Sequence, residues 1–178
     1  MMSLAVVFWM YVILFAIIGG MRGWAKEILV SFSVILALAF IALLEHYVPF
    51  IRDVLLPQQS PVLFWIRAII LILLVFFGYQ TVNLQRISGK VTREKLEHAI
   101  LGIVIGAING YLIAGTIWFY MADANYPFAG IVSAPPAGST IATIASNMLR
   151  YMPPRLLGIP GIYFAVVVAF IFVIVVFV

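Results

Sequence analysis

Residues 99–121, AILGIVIGAINGYLIAGTIWFYM, carry no charged side chain. A bilayer core of about 30 Å is crossed by about 20 apolar residues in helical form. This stretch therefore reads as a membrane span. Working outward, four more runs are long and apolar: 4–21, 28–44, 61–79, which holds one charge at Arg67, and 162–178. The last is almost all Val, Ile, Phe and Ala, which in water would suggest a strand. In lipid a lone strand leaves its backbone groups unpaired, so a helix is expected there too.

Composition agrees. Of the 178 residues, 66% are hydrophobic and 9% charged, against about 25% charged in soluble domains. The expectation is an all-α integral membrane protein in one transmembrane domain, 1–178. It is a bundle of five transmembrane helices, or four if the last run does not cross. The link from the first span to the second, Arg22 to Glu27, is so short that the two should be antiparallel neighbours. Leu4–Met21 is too long for a typical signal-peptide core and has no basic lead, so it is expected to stay as a helix.

The net charge of +4 does not point to nucleic acid. The basic residues fall in short stretches between apolar runs, where they set orientation. Arg22, Lys26, Arg86, Lys90, Arg93 and Lys95 share one side of a five-span topology. Arg52, Arg67, Arg150 and Arg155 share the other. Six against four predicts the N-terminus outside and the C-terminus inside. Tyr47, Phe50, Trp65, Trp118, Phe119 and Tyr120 fall at the outer boundary, where an aromatic belt belongs. Arg67 lies in the first turns of its span and is expected to snorkel to the headgroups, with Asp53 as its one plausible partner. Pro49 and Pro57 should keep the 45–60 loop non-helical.

Between the last two spans, Ile141, Ile144, Ala145, Met148, Leu149 and Met152 recur at helical spacing. Ser139 can cap this helix and Pro153-Pro154 stops it. An amphipathic helix over 139–152 is expected, either flat in the interface or packed on the bundle.

Two motifs stand out. Gly102, Gly106 and Gly110 are spaced by four and share one helix face. They form a groove for close approach of another helix, within the chain or from a partner. Ala107 and Ala114 widen it and Asn109 lies beside it. The second motif is the turn Gly20, Arg22, Gly23, Lys26 and Glu27, where the charges anchor the inner face and the glycines permit φ > 0.

A first helix ending in Gly-x-Arg-Gly, a Lys-Glu pair opening the second, and a fourth helix of the form Leu-Gly-x-x-x-Gly-x-x-x-Gly-Tyr-Leu-Ile resemble the colicin V production protein (CvpA) family of bacterial inner-membrane proteins. The resemblance covers residues 1–121 and rests on Gly20, Arg22, Gly23, Gly102, Gly106 and Gly110. The proline-rich loop and the fifth run lie outside it. It implies a small multi-span protein of the bacterial inner membrane, linked to bacteriocin production and envelope homeostasis, with no assigned chemistry.

The residues themselves offer little for catalysis. Cysteine is absent, which removes disulfides, thiolate zinc and cysteine-ligated iron–sulfur sites. His46 and His98 fall on opposite faces in this topology, so they cannot share a metal or haem. No acid is expected mid-span, and Ser31, Ser33, Asn109 and Thr116 are the notable polar groups there. The expected protein is not an enzyme and holds no cofactor or metal. Its partners are the bilayer and other integral membrane subunits, or a second copy through the glycine face. The favoured function is an accessory or scaffolding subunit of a larger membrane complex. The alternative is one component of an oligomeric transporter or channel.

Overall fold

A computed structural model describes residues 4–80, 92–128, 132 and 134–177. Among them the secondary structure is all helical. The elements are α1 (Leu4–Arg22), α2 (Trp24–Tyr47), a π-helical turn (Ile51–Leu55), α3 (Pro61–Tyr79), α4 (Thr92–Asp123), α5 (Thr140–Leu149), α6 (Pro153–Leu156) and α7 (Gly161–Phe177). Four of these, α1 to α4, are long and apolar enough to cross a membrane. The protein is therefore a membrane-embedded helical bundle.

The local signals explain the boundaries. Gly23 alone separates α1 from α2, at φ 85°. Its N–H donates to the Gly19 carbonyl at 2.9 Å, which closes α1 with a left-handed residue. The turn is thus one residue, not six, because Trp24 to Glu27 already belong to α2. Ser60 caps α3 by accepting from the Val62 N–H, with Pro61 at the first helical position. Ser139 caps α5 in the same way, accepting from the Ala142 N–H at 3.1 Å. Asn125 and Tyr126, at φ 54° and 56°, turn the chain away after α4.

The 48–60 connection departs from the sequence expectation. Residues 49–55 are helical, ending in the π turn. Its two prolines sit where they cost no hydrogen bond: Pro49 opens the segment and Pro57 follows it. Ile51 and Leu55 bury their side chains against Leu63, and that burial favours helix over an open loop.

Helix α2 is the centre of the bundle. Its Val30, Val34, Ala37, Leu38, Ala39 and Ile41 are buried, facing Ala68 and Leu71 of α3 and Leu112 and Ile113 of α4. Helix α7 lies against α2, where Phe170 and Phe32 meet edge to face at 4.8 Å. Helix α1 packs chiefly on α4, and has much less contact with α2. The short turn therefore does not make α1 and α2 packing partners; α4 takes the place beside α1. Residue pairings run in opposite directions for α1–α4 and α2–α3, and in the same direction for α2–α4.

The bundle has two ends. The near end gathers the α1–α2 turn, Tyr79 and His98, whose ring stacks on Trp24. The far end gathers Glu45, Arg67 and Asp123. Large apolar side chains such as Trp9, Ile13, Trp65, Ile69, Phe76 and Val168 face outward, as lipid solvation requires. Two of the six aromatics expected at the outer boundary are not lipid-facing. Trp118 packs on Phe8 and Tyr120 lies under Arg67, and both are buried.

Candidate functional site: a glycine seam and two buried ion networks

The glycine face of α4 is filled by α1 of the same chain. A Cβ on Gly102 would collide with the Gly19 carbonyl oxygen, and one on Gly19 with the Gly102 carbonyl. A Cβ on Gly106 would lie 2.9 Å from the Gly19 Cα, and one on Gly110 2.9 Å from the Val12 Cα. Such backbone approach is what small residues permit between membrane helices, and it brings Cα–H groups onto facing carbonyls. Gly20 faces the Ile103 side chain instead. Ala107 and Ala114 are half-buried. In this chain α1 fills the seam. The seam orients α4, and with it Asn109.

Asn109 sits on the α4 face turned to α2 and is fully buried. Its amide nitrogen donates to Glu27 Oε2 at 2.8 Å and to the Glu27 backbone carbonyl at 2.9 Å. Its carbonyl accepts from the Ser31 hydroxyl at 2.6 Å. Glu27, also fully buried, takes a 2.7 Å ion pair from Arg22 on its other oxygen. Arg22 in turn donates to the Tyr79 carbonyl at 3.0 Å, with its guanidinium 4.3 Å from the Tyr79 ring centre. One network thus joins α1, α2, α3 and α4. Lys26 is half-buried beside it.

This changes the expected roles of two residues. Glu27 is not a solvated turn residue: it is buried because α4 passes over the start of α2. Arg22 is held by the Glu27 carboxylate, through the 2.7 Å ion pair. Arg–Glu pairing with further hydrogen bonds is the condition under which buried charges persist.

At the far end, Arg67 does not snorkel. It is 4% exposed and donates Nε to Glu45 at 2.5 Å and a terminal nitrogen to Asp123 at 2.6 Å. The Tyr120 ring lies 4.7 Å from the guanidinium carbon. Asp53 pairs with its neighbour Arg52 at the exposed surface instead. There the hydrogen bond between the two side chains, helped by their opposite charges, holds the Asp53 carboxyl below its usual range and the Arg52 guanidinium above its own. Glu45 and Asp123 were legible as charges but not as partners, since each lies at the end of a different helix, 22 and 56 positions from Arg67. The one available signal was Arg67 itself, a cation inside a span that must find an anion.

Two clefts among the described residues bear on these networks. One, of about 300 Å³, opens at the far end beside Glu45 and Arg67. The other, about 400 Å³, lies between α2, α4 and α7 and is lined by apolar side chains together with Ser31. Among the described residues, no three His, Asp or Glu side chains converge as metal ligands. His46 and His98 lie at opposite ends of the bundle. Comparison with family models, curated proteins and solved structures gives no match to this chain.

Proposed function

We propose that this chain is a non-catalytic, CvpA-type membrane protein that serves as an accessory or scaffolding subunit of a larger membrane complex. The carrying observation is how its intramembrane polar groups are used. Arg22, Glu27, Ser31 and Asn109 close on one another across the helices, as do Glu45, Arg67 and Asp123. They fasten helices together instead of lining an open path. The α2–α4–α7 cleft is apolar and suits lipid or a partner helix, not a solute.

The proposed topology has five spans. Helix α7 is 17 residues long, about 26 Å at 1.5 Å per residue, and runs beside α2 through Phe32 and Phe170. Helix α5, with 10 residues, reaches only about 15 Å and leaves Ile141 and Ile144 about half exposed, which suits a place in the interface. Arg22 and Lys26 mark the near end, where α3 ends and α4 begins, and the sequence 82–98 is basic, so we assign the near end to the cytoplasm by the positive-inside rule. The N-terminus is then outside and the C-terminus inside, in the bacterial inner membrane. A cysteine placed at Lys90, which lies outside the described residues, should be protected from an impermeant thiol reagent added from outside.

Purification in mild native detergent tests the function. A stoichiometric membrane partner should copurify. Recovery as a lone monomer in several gentle detergents would overturn the reading. A transporter component is the second reading, favoured by the buried Glu27 carboxylate, since ionisable groups inside bundles often serve ion pathways. Proteoliposomes of the chain alone should show no flux above empty vesicles. Flux abolished by Glu27→Gln would establish the second reading in its place.

A further inference from the structure

The far-end cleft is amphipathic. Leu38, Ile41 and Ala42 of α2 and Leu157 supply apolar lining, and Glu45, His46 and Arg67 supply its ionisable groups. At about 300 Å³ it is at the lower end of ligand-site sizes: room for a small polar head and a few methylenes.

The charge at Glu45 and Arg67 is not balanced. Arg67 serves two carboxylates, Glu45 on the cleft side and Asp123, which is not part of the cleft wall, behind it. One guanidinium between two carboxylates leaves the trio with a formal charge of −1. Asp123 draws on the same cation that Glu45 needs, so Glu45 faces the cleft only partly compensated, with its side chain 25% exposed. An anion entering here meets net negative charge. A cation meets a carboxylate with acceptor capacity to spare, since Arg67 takes only its Oε1.

We propose that this cleft binds an amphiphile with a primary ammonium head, of the phosphatidylethanolamine class: the ammonium donates to Glu45 and the adjoining apolar portion lies over Leu38, Ile41 and Ala42. A primary ammonium is favoured over a quaternary one because it has N–H groups to donate. Asp123 is a positioning residue. It does not touch the ligand; it keeps Arg67 from neutralising Glu45. This site is independent of the accessory role and stands or falls separately.

The test uses the full chain, delipidated in detergent. Thermal stability and retained lipid by native mass spectrometry are measured after adding phosphatidylethanolamine, phosphatidylcholine or phosphatidylglycerol with matched acyl chains, or ethanolamine alone. Phosphatidylethanolamine should be retained about tenfold better than the other two lipids, the worth of one charge-assisted hydrogen bond, and should alone raise the melting temperature. Asp123→Asn lets Arg67 neutralise Glu45 and should erase the headgroup preference. Ala42→Leu enlarges the apolar lining without changing charge and should remove binding altogether, which keeps the proposal testable if Asp123→Asn fails to fold. Equal retention of the three lipids, preference for phosphatidylglycerol, full stabilisation by ethanolamine alone, or an unchanged preference in folded Asp123→Asn would each overturn it.

Discussion

Gly19 of α1 and Gly102 of α4 meet backbone to backbone, each carbonyl oxygen occupying the place where the other residue's Cβ would stand. The contact is reciprocal, so neither position tolerates a side chain. It continues one turn along α4, where Gly106 meets the Phe15 carbonyl and the Gly19 backbone.

Substituting Gly102 or Gly106 by Val should force the two helices apart. Overpacking typically costs about 1–3 kcal/mol, and the upper end is expected here because the obstacle is backbone. Detergent-denaturation curves should shift accordingly. Gly158→Ala is the control: its Cβ would approach nothing nearer than 3.6 Å, and stability should be unchanged. Equal effects at 102 and 158 would contradict the seam.

Arg67→Met should be among the most damaging single substitutions. It strands Glu45 and Asp123 beside an apolar chain; breaking a fully buried ion pair costs about 3–5 kcal/mol, and the partial exposure of both carboxylates places the expected loss at or below the lower end. Asp53→Asn, in the exposed pair with Arg52, should leave the melting temperature where it is. If the two variants unfold alike, Arg67 is not the far-end fastener.

Glu27 offers a graded comparison. Glu27→Gln keeps the hydrogen bond with Asn109 but leaves Arg22 without its counter-charge, and should cost about 1–3 kcal/mol. Glu27→Ala orphans Arg22 and also removes the side-chain acceptor of the Asn109 amide, and should cost about 3–5 kcal/mol. Unfolding in a denaturing detergent series reads both. Because Asn109 bonds the Glu27 side chain, Asn109→Ala should couple with Glu27→Ala in a double-mutant cycle, with a combined loss below the sum; the bond to the Glu27 main chain survives Glu27→Ala, so the coupling is partial.

Ser139→Ala removes the cap of α5, which accepts from the Ala142 N–H. The loss should be local and about 1 kcal/mol. Hydrogen exchange should accelerate at residues 141–143 and stay unchanged in α2 and α4. Acceleration across the whole chain would mean that α5 is integral to bundle stability.

What the sequence by itself determined are the properties that follow from nearest neighbours in the chain. Apolar runs of about 20 residues have one stable form in lipid, so helix and membrane are legible from composition and length. The four-residue spacing of Gly102, Gly106 and Gly110 puts them on one face whatever else the chain does. Ser139 and Ser60 can cap because their hydroxyls reach backbone two or three residues on. Partner choice was decided only by tertiary structure. Nothing near Gly102 in sequence indicates Gly19, and nothing near Arg67 indicates Glu45 or Asp123. The turn at Gly23 suggested that α1 lies against α2, but a glycine-bearing α4 lets α1 approach more closely than α2 can. That approach fixes the rotation of α4 and buries Glu27 against Asn109. A charge at the start of a helix is solvated or buried according to which helix crosses it, and the crossing is set by packing over the whole bundle.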